Sequence, residues 1–264
     1  MSRTKNPRER NLSALIDFLG LKIEKQTPIT ITGVCSDSRA IVSGDLLVAL
    51  RGEKSHGIAF LNSALERGAR AVITDSEGAD RASQISPSTP LLVVPKPRSI
   101  CGEIANWFYG EPSKSLFVAG VTGTNGKTTT TYLLNQIWQA AGINSGLIGT
   151  VGIHYANQSL PATHTTPESD ELQRLLACMK DEGVKNVAME VSSHALDQGR
   201  VSGTHFKVAG FTNLTQDHLD YHGSMPEYFK AKSKLFTYGL AELGIVCIDG
   251  EYGARHWSEM SIQK

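Results

Sequence analysis

Short apolar runs alternate with amphipathic stretches along the chain, which predicts strands interleaved with helices. Residues 45–50, 71–73 and 91–94 read as buried strands of a first region. Residues 58–67 read as a helix between them, with Phe60, Leu61, Ala64 and Leu65 facing inward and Gly68 just past its end. Residues 76–90, rich in Ser, Asp, Gly and Pro, read as a loop. Pro95 and Pro97 punctuate a domain junction, and a helix over 99–109 leads into a second region. There 116–121, 187–191, 208–211 and 245–248 read as strands. A helix over 128–141 carries Leu133, Leu134, Ile137 and Trp138 as its apolar stripe, with Gly142 as its stop. A second helix, 167–182, opens with a proline followed by Glu168, Asp170 and Glu171, which suits a helix N-terminus. The alternation predicts an α/β protein: a small N-terminal domain over 1–97 and a second, mostly parallel-sheet domain over 98–264, its sheet covered on both faces.

Composition narrows the classes. Of 264 residues, 40% are hydrophobic and 20% charged, enough apolar material for a real core. Lys+Arg and Asp+Glu both number 26, which gives no support for a nucleic-acid or anionic-membrane surface. No apolar run approaches the ~18 residues needed to span a bilayer. The cysteines, Cys35, Cys101, Cys178 and Cys247, form no C-x-x-C pair. They read as buried reduced thiols of a cytoplasmic protein. The first ten residues, with Arg3, Lys5, Arg8 and Arg10, read as a disordered polar tail.

Chemistry concentrates after the strand at 116–121. The residues Gly123-Thr124-Asn125-Gly126-Lys127-Thr128-Thr129 lie between that strand and the next helix, which is the P-loop arrangement. Glycines let backbone N–H groups approach phosphate oxygens, and the helix N-terminus adds a favourable dipole. Lys127 would reach the β/γ-phosphates of ATP and the Thr128 hydroxyl would bind Mg²⁺. The general G-x-x-x-x-G-K-[ST] pattern is departed from at its first glycine, where Val121 stands between Gly120 and Gly123.

Other residues leave two readings each. Glu190 ends an apolar strand, as a simple charged terminus or as a paired or metal-bound carboxylate. His218 lies beside Asp217, Asp220 and His222, as a surface residue or as a ligand. Lys230, Lys232 and Lys234 alternate, which by itself reads as a solvated helix face. Arg200 suits a carboxylate or phosphate, or a structural salt bridge.

The loop resembles that of the Mur ligase family, the ATP-dependent enzymes that build the peptidoglycan stem peptide. Further segments carry the resemblance, in order, across nearly the whole chain. They are Asp37-Ser38-Arg39 with Gly44-Asp45-Leu46; Thr165-Thr166-Pro167; Glu190-Val191-Ser192-Ser193-His194; Gln198-Gly199-Arg200-Val201; 213–222, which contains His218; and 228–232. The resemblance implies that Glu190 binds Mg²⁺ beside Thr128, and that His218 serves a second Mg²⁺. It also implies that Lys232 reacts with CO₂ to form a carbamate that holds this second ion. It makes Thr165, Thr166, Ser192, Gln198 and Arg200 substrate-positioning groups. Ser36 and Ser38 match positions that contact the uridine end of the substrate, with Glu53, Lys54 and Ser55 in a second loop. There His56 stands before Gly57 where the family usually has Asp.

The implied reaction phosphorylates the glutamate side-chain carboxylate of UDP-MurNAc-L-Ala-D-Glu. The amine of a diamino acid, meso-diaminopimelate or L-lysine, then attacks and expels phosphate. Lys127 and the Mg²⁺ ions would neutralise charge, and no enzyme nucleophile is needed. The resemblance also implies a third, C-terminal domain. The chain is therefore expected to be a truncated ligase whose 245–248 strand lies mid-domain and whose last residues, 257–264, carry no clear continuation. It would bind nucleotide and turn over poorly. Two other readings are a catalytically inactive nucleotide- and UDP-sugar-binding module and a folylpolyglutamate synthetase-like ligase; the segment around Asp37-Ser38-Arg39 argues against the latter.

Overall fold

The computed structural model describes residues 4–5, 8–21, 28–52 and 55–264. They form two compact units, Met1–Gly110 and Glu111–Lys264.

In the first unit β1 (Arg10–Asn11) pairs antiparallel with β2 (Thr30–Ile31), flanking α1 (Leu12–Phe18). Its main sheet is parallel, in the order β3 (Gly33–Cys35), β4 (Asp45–Val48), β5 (Ala71–Thr74), β6 (Leu91–Val93). The core forms where Leu47 and Val72 meet Ile58, Leu61, Ala64 and Ala82. Leu61 and Ala64 come from α2 (Leu61–Glu66), which a 3₁₀ turn over Gly57–Phe60 precedes; Phe60, expected inside, is exposed.

Three expectations change here. Residues 76–90 contain a helix, α3 (Ser76–Ile85), rather than a continuous loop. Asp75 caps it by accepting from Gly78 N–H, and Glu77 favours its first turn. Gly78, which suggested a loop, is a close-packing residue: a Cβ there would collide with Thr74 Oγ1 and lie 2.8 Å from His56 Cε1. Arg10, expected in a disordered tail, is instead held in place: its Nε donates to Phe108 O at 3.2 Å and its guanidinium lies 4.5 Å from the Trp107 ring centre. And the division falls at Gly110 rather than Pro97. The helix α4 (Pro97–Tyr109) buries Cys101, Ile104, Ala105 and Phe108 and packs along β3, so it belongs to the first unit.

The second unit is built on a sheet ordered β10-β9-β8-β11-β7-β12-β13. Its parallel strands are β7 (Phe117–Thr122), β8 (Ser145–Gly149), β11 (Asn186–Glu190), β12 (Phe206–Phe211) and β13 (Ala241–Val246). An antiparallel hairpin, β9 (Gly152–Tyr155) and β10 (Gln158–Leu160), completes one edge. Its turn puts Ala156 at φ 49°, a turn residue that the sequence does not advertise. The core joins Val118, Ile148, Val187 and Met189 of the strands to Leu172, Leu175, Leu176 and Met179 of α6 (Ser169–Asp181). Val121 of β7 lies opposite Glu190 of β11, and Thr122 opposite Phe211 of β12, so three strand ends meet at one edge. In open parallel sheets that carboxyl edge is where ligands bind.

The helix α5 (Lys127–Ala140) opens from that edge, but only half of its expected apolar stripe turns inward: Leu134 and Trp138 are half-buried. Its buried residues are Thr131 and Asn135, while Leu133 and Ile137 are 54% and 62% exposed. Asn135 Oδ1 accepts from Ser145 Oγ at 2.8 Å, so small polar groups make the close approach to the sheet. The expected strand at 245–248 lies earlier, at Ala241–Val246. The last residues do continue the fold: α10 (Glu251–Glu259) crosses back and Gln263 pairs parallel with Leu243. Of the cysteines, Cys101 and Cys178 are buried, as expected, whereas Cys247 is exposed. Among the described residues no helix is long and apolar enough to cross a membrane.

Candidate active site at the carboxyl edge of the central sheet

The loop between β7 and α5 is clamped by the chain leaving β12. Thr124 N–H donates to Asn213 O at 2.9 Å, and Asn125 N–H to Asn213 Oδ1 at 3.0 Å. Thr212 Oγ1 donates to Asn125 O at 2.6 Å, and Thr215 N–H to Thr124 Oγ1 at 3.0 Å. Gly123 has φ +148°, and a Cβ there would strike Thr212 Oγ1 and approach the Asn213 backbone within 3.1 Å. Only glycine fits that pinch. Gly126 caps α5, and Thr129 sits exposed in its first turn.

Two amines converge within this loop. Lys127 Nζ donates to Gly123 O and Thr124 O, both at 2.9 Å. Lys232 Nζ donates to the same Gly123 O at 2.8 Å. Lys232 is 1% exposed, on α9 (Met225–Ser233), so the solvated-face reading of this lysine fails. Lys230 and Lys234 are the solvated ones, paired with Glu227 at 3.6 Å and Asp197 at 2.7 Å. Burial, then the positive charge of Lys127, pushes the Lys232 ammonium down to about 7. Burial also lowers Lys127, against the pull of Glu190 and Asp217.

Glu190 is 1% exposed. Its Oε2 accepts from Thr128 Oγ1 at 2.8 Å, and its Oε1 from Thr150 N–H at 2.8 Å. Two hard oxygens side by side, one on a buried carboxylate, are a donor set that suits Mg²⁺. The remaining expected ligands do not assemble on their own. Among the described residues no three His, Cys, Asp or Glu side chains form a metal-holding group. His218 is half-exposed, with Nε2 3.5 Å from Asp217 Oδ2. Lys232 as an amine supplies no anionic donor.

The substrate-positioning candidates also cluster. Thr166 Oγ1 donates to Glu190 O at 2.9 Å and accepts from Ser192 N–H at 3.0 Å. Ser192 caps α7 (Ser193–Asp197). Arg200 donates twice to Gln198 Oε1, at 3.0 and 2.7 Å, and its Nε lies 3.2 Å from Glu168 Oε1. Its salt-bridge reading therefore holds in this state. Thr165 Oγ1 lies 3.1 Å from Thr150 Oγ1.

The sequence assigned no role to Thr150, Thr212, Tyr228, His194 or His222. Tyr228 lies beneath Lys232 Nζ, 4.5 Å from its ring centre, with its hydroxyl 3.2 Å from Thr124 Oγ1. His222 stacks on Tyr228 and has Nε2 3.0 Å from Ser193 Oγ. His194 packs its ring 4.9 Å from His218. The alternating lysines one turn past Tyr228 were the available signal.

In the first unit, Ser36 and Ser38 occupy the turn leaving β3, at the carboxyl edge of the smaller sheet. Arg39 salt-bridges Asp37 at 2.8 Å there and holds its carboxyl below the usual range. His56 is buried: Nδ1 accepts from Ile58 N–H at 3.1 Å, and Nε2 faces Asp75 Oδ1 at 3.1 Å. It caps a turn. Glu53 and Lys54 lie outside the described residues.

Residues 121–264 match the Mur ligase middle domain, and residues 30–109 match the Mur ligase family, catalytic domain. The UDP-N-acetylmuramoyl-L-alanyl-D-glutamate–2,6-diaminopimelate ligase of Streptomyces coelicolor is 44% identical over 251 residues, covering 95% of this chain and 49% of that protein. The ligase of the same name from Geobacillus thermodenitrificans is 50% identical over 201 residues, 76% of this chain and 40% of that one. A solved structure of that name superposes with a TM-score of 0.77 at 28% identity, over 92% of this chain and 48% of its own. MurF ligase from Thermotoga maritima in complex with ADP shares the fold, with a TM-score of 0.60 at 19% identity over 88% and 49% of the two chains. The chain spans about half the length of the curated relatives it matches.

Proposed function

The chain belongs to the Mur ligase family, and we propose that it serves an ATP-dependent ligase joining 2,6-diaminopimelate to UDP-MurNAc-L-Ala-D-Glu. The observation that carries this reading is the convergence of Lys127 and Lys232 on Gly123 O, with the Thr128–Glu190 pair beside them at one strand edge. That arrangement offers two amines, a helix N-terminus and a buried carboxylate to a polyphosphate and its cation. The names of the relatives supply the acceptor and the diamino acid.

In this reading Lys127 leaves the loop carbonyls for the β/γ-phosphates, and the backbone N–H groups of 123–128 line the phosphate chain. The glutamate side-chain carboxylate of the substrate attacks the γ-phosphorus, and ADP leaves. The diamino acid's amine then attacks the acyl phosphate carbon, loses its proton, and inorganic phosphate departs. The chain's work is positioning and charge neutralisation. Glu190 and Thr128 would hold Mg²⁺, which screens phosphate charge when bound. Lys232 would react as the free amine with CO₂, releasing a proton and gaining a carboxylate; its lowered pKa leaves much of it neutral near pH 7. That carbamate, with His218, would supply the second cation site that the unmodified residues lack. Thr165, Thr166, Ser192, Gln198 and Arg200 would face the peptidyl end of the substrate, and Ser36 and Ser38 the uridine end. We place its action in the cytoplasm, the compartment in which widely spaced cysteines stay reduced.

The test is calorimetric binding of Mg²⁺ with a non-hydrolysable ATP analogue, followed by phosphate release with the UDP-linked dipeptide and 2,6-diaminopimelate. Lys127→Ala is expected to weaken nucleotide binding by about tenfold or more, the range for a lost charged hydrogen bond. Unchanged affinity in that variant would remove the loop from the site. Isotope-labelled bicarbonate should give a carbamate NMR signal that Lys232→Met abolishes.

A further inference from the structure

We propose that Thr150 is a positioning residue that couples the nucleotide end of the site to the substrate loop through Glu190. The proposal rests on the reading of Glu190 and Thr165 given above.

The geometry orders the protons. A carboxylate only accepts, so every contact to Glu190 is a donor's. Oε1 takes the Thr150 N–H at 2.8 Å, and Oε2 takes the hydroxyls of Thr128 at 2.8 Å and Thr150 at 3.3 Å. Thr150 has one hydroxyl proton, and it points to Glu190. Its 3.1 Å contact with Thr165 Oγ1 must then be one in which Thr150 accepts and Thr165 donates. Thr165 is left presenting lone pairs to a ligand, its own proton committed. The backbone is shaped for this chain of contacts. A Cβ at Gly149 would overlap Glu190 Oε1 and come within 2.9 Å of Glu190 Cδ, so the strand end can lie against the carboxylate only without a side chain.

A cation held by Glu190 and Thr128 would compete for the carboxylate that orients the Thr150 proton. Thr150 then donates to Thr165, the chain reverses, and the Thr165 proton becomes available to an acceptor such as a substrate carbonyl or carboxylate. The substrate loop thus reads the state of the metal-binding carboxylate through one hydroxyl. Coupling of this kind is reciprocal: each ligand strengthens the other by the same factor.

The test measures, by calorimetry, affinity for UDP-MurNAc-L-Ala-D-Glu with and without Mg²⁺ and a non-hydrolysable ATP analogue. The native protein is expected to bind the dipeptide about tenfold more tightly with the nucleotide present. Thr150→Val should bring that ratio close to one, Thr150→Ser should retain it, and Thr165→Val should abolish it as Thr150→Val does. A ratio preserved in Thr150→Val overturns the proposal, as does a ratio lost equally in Thr150→Ser. A native protein that binds both ligands without coupling overturns this proposal alone. One that binds neither overturns the functional reading and this proposal with it. Thermal unfolding of the unliganded variants separates a folding defect from lost coupling, because Thr150→Ser keeps the hydroxyl at the same site.

Discussion

Lys232, buried beside Lys127 on one carbonyl oxygen, is the most perturbed cation of the site. Burial is the larger cause of its depressed pKa and the charge of Lys127 the second. Removing that charge in Lys127→Met should raise the Lys232 pKa, which titration by NMR would follow. The same shift sets a stability profile. Lys232 has a folded pKa of about 7 against 10.5 unfolded, so between those values the unfolded chain binds more protons. Stability from this group is therefore lowest below pH 7 and rises as pH climbs toward 10.5. Denaturation midpoints across that window should rise in the native protein and flatten in Lys232→Met. Equal slopes would mean that Lys232 is not buried as an amine. Gly78 gives a second residue-scale test. Gly78→Ala improves helix propensity by about 1 kcal/mol, yet its Cβ would collide with Thr74 and His56. Over-packing costs about 1–3 kcal/mol, so net destabilisation is expected by urea denaturation.

At the scale of elements, α5 shows why apolar spacing misleads beside a phosphate loop. The helix starts at a loop pinned to the sheet edge, so the small groups Thr131 and Asn135 take the close approach and Leu133 and Ile137 turn outward. Ile137→Gln should change stability by less than about 0.5 kcal/mol, as at exposed sites. Asn135→Leu strips the buried Ser145 hydroxyl of its partner at 2.8 Å and should cost about 1–3 kcal/mol. The opposite ranking would restore the periodic reading. In α10, His256 is buried among the ring edges of Phe211, Phe229 and Phe236, and burial holds its pKa at about 4. The unfolded chain takes up this proton near pH 6.5, so stability is lost as pH falls from 6.5 toward 4. His256→Leu should lose less over that range. The α5 face was legible only in part, Leu134 and Trp138 but not Leu133 and Ile137, because it depends on which strand ends lie beneath the helix.

For the whole molecule, the nucleotide should stabilise the unit that carries the loop. At a hundredfold excess over Kd, ligand adds about 2.7 kcal/mol, so a thermal transition followed by Trp138 or Trp257 should shift upward with Mg²⁺ and the ATP analogue. Trp107 reports on the first unit. The sequence by itself determined much. The strand–loop–helix order of 116–141, the buried strand ending in Glu190 and the strand–helix alternation that makes the second sheet mostly parallel are local patterns, and local patterns survive in one dimension. Tertiary structure decided the rest. It turned Lys232 inward among three alternating lysines, because α9 packs its Tyr228 face on the phosphate loop. It made His56 a cap and Gly78 a helix residue, because each answers to a side chain about twenty or four positions away. And it set Thr150 between Glu190 and Thr165, a contact that exists only where separate strand ends reach one edge, since hydrogen bonds require a few ångströms in space and are indifferent to distance along the chain.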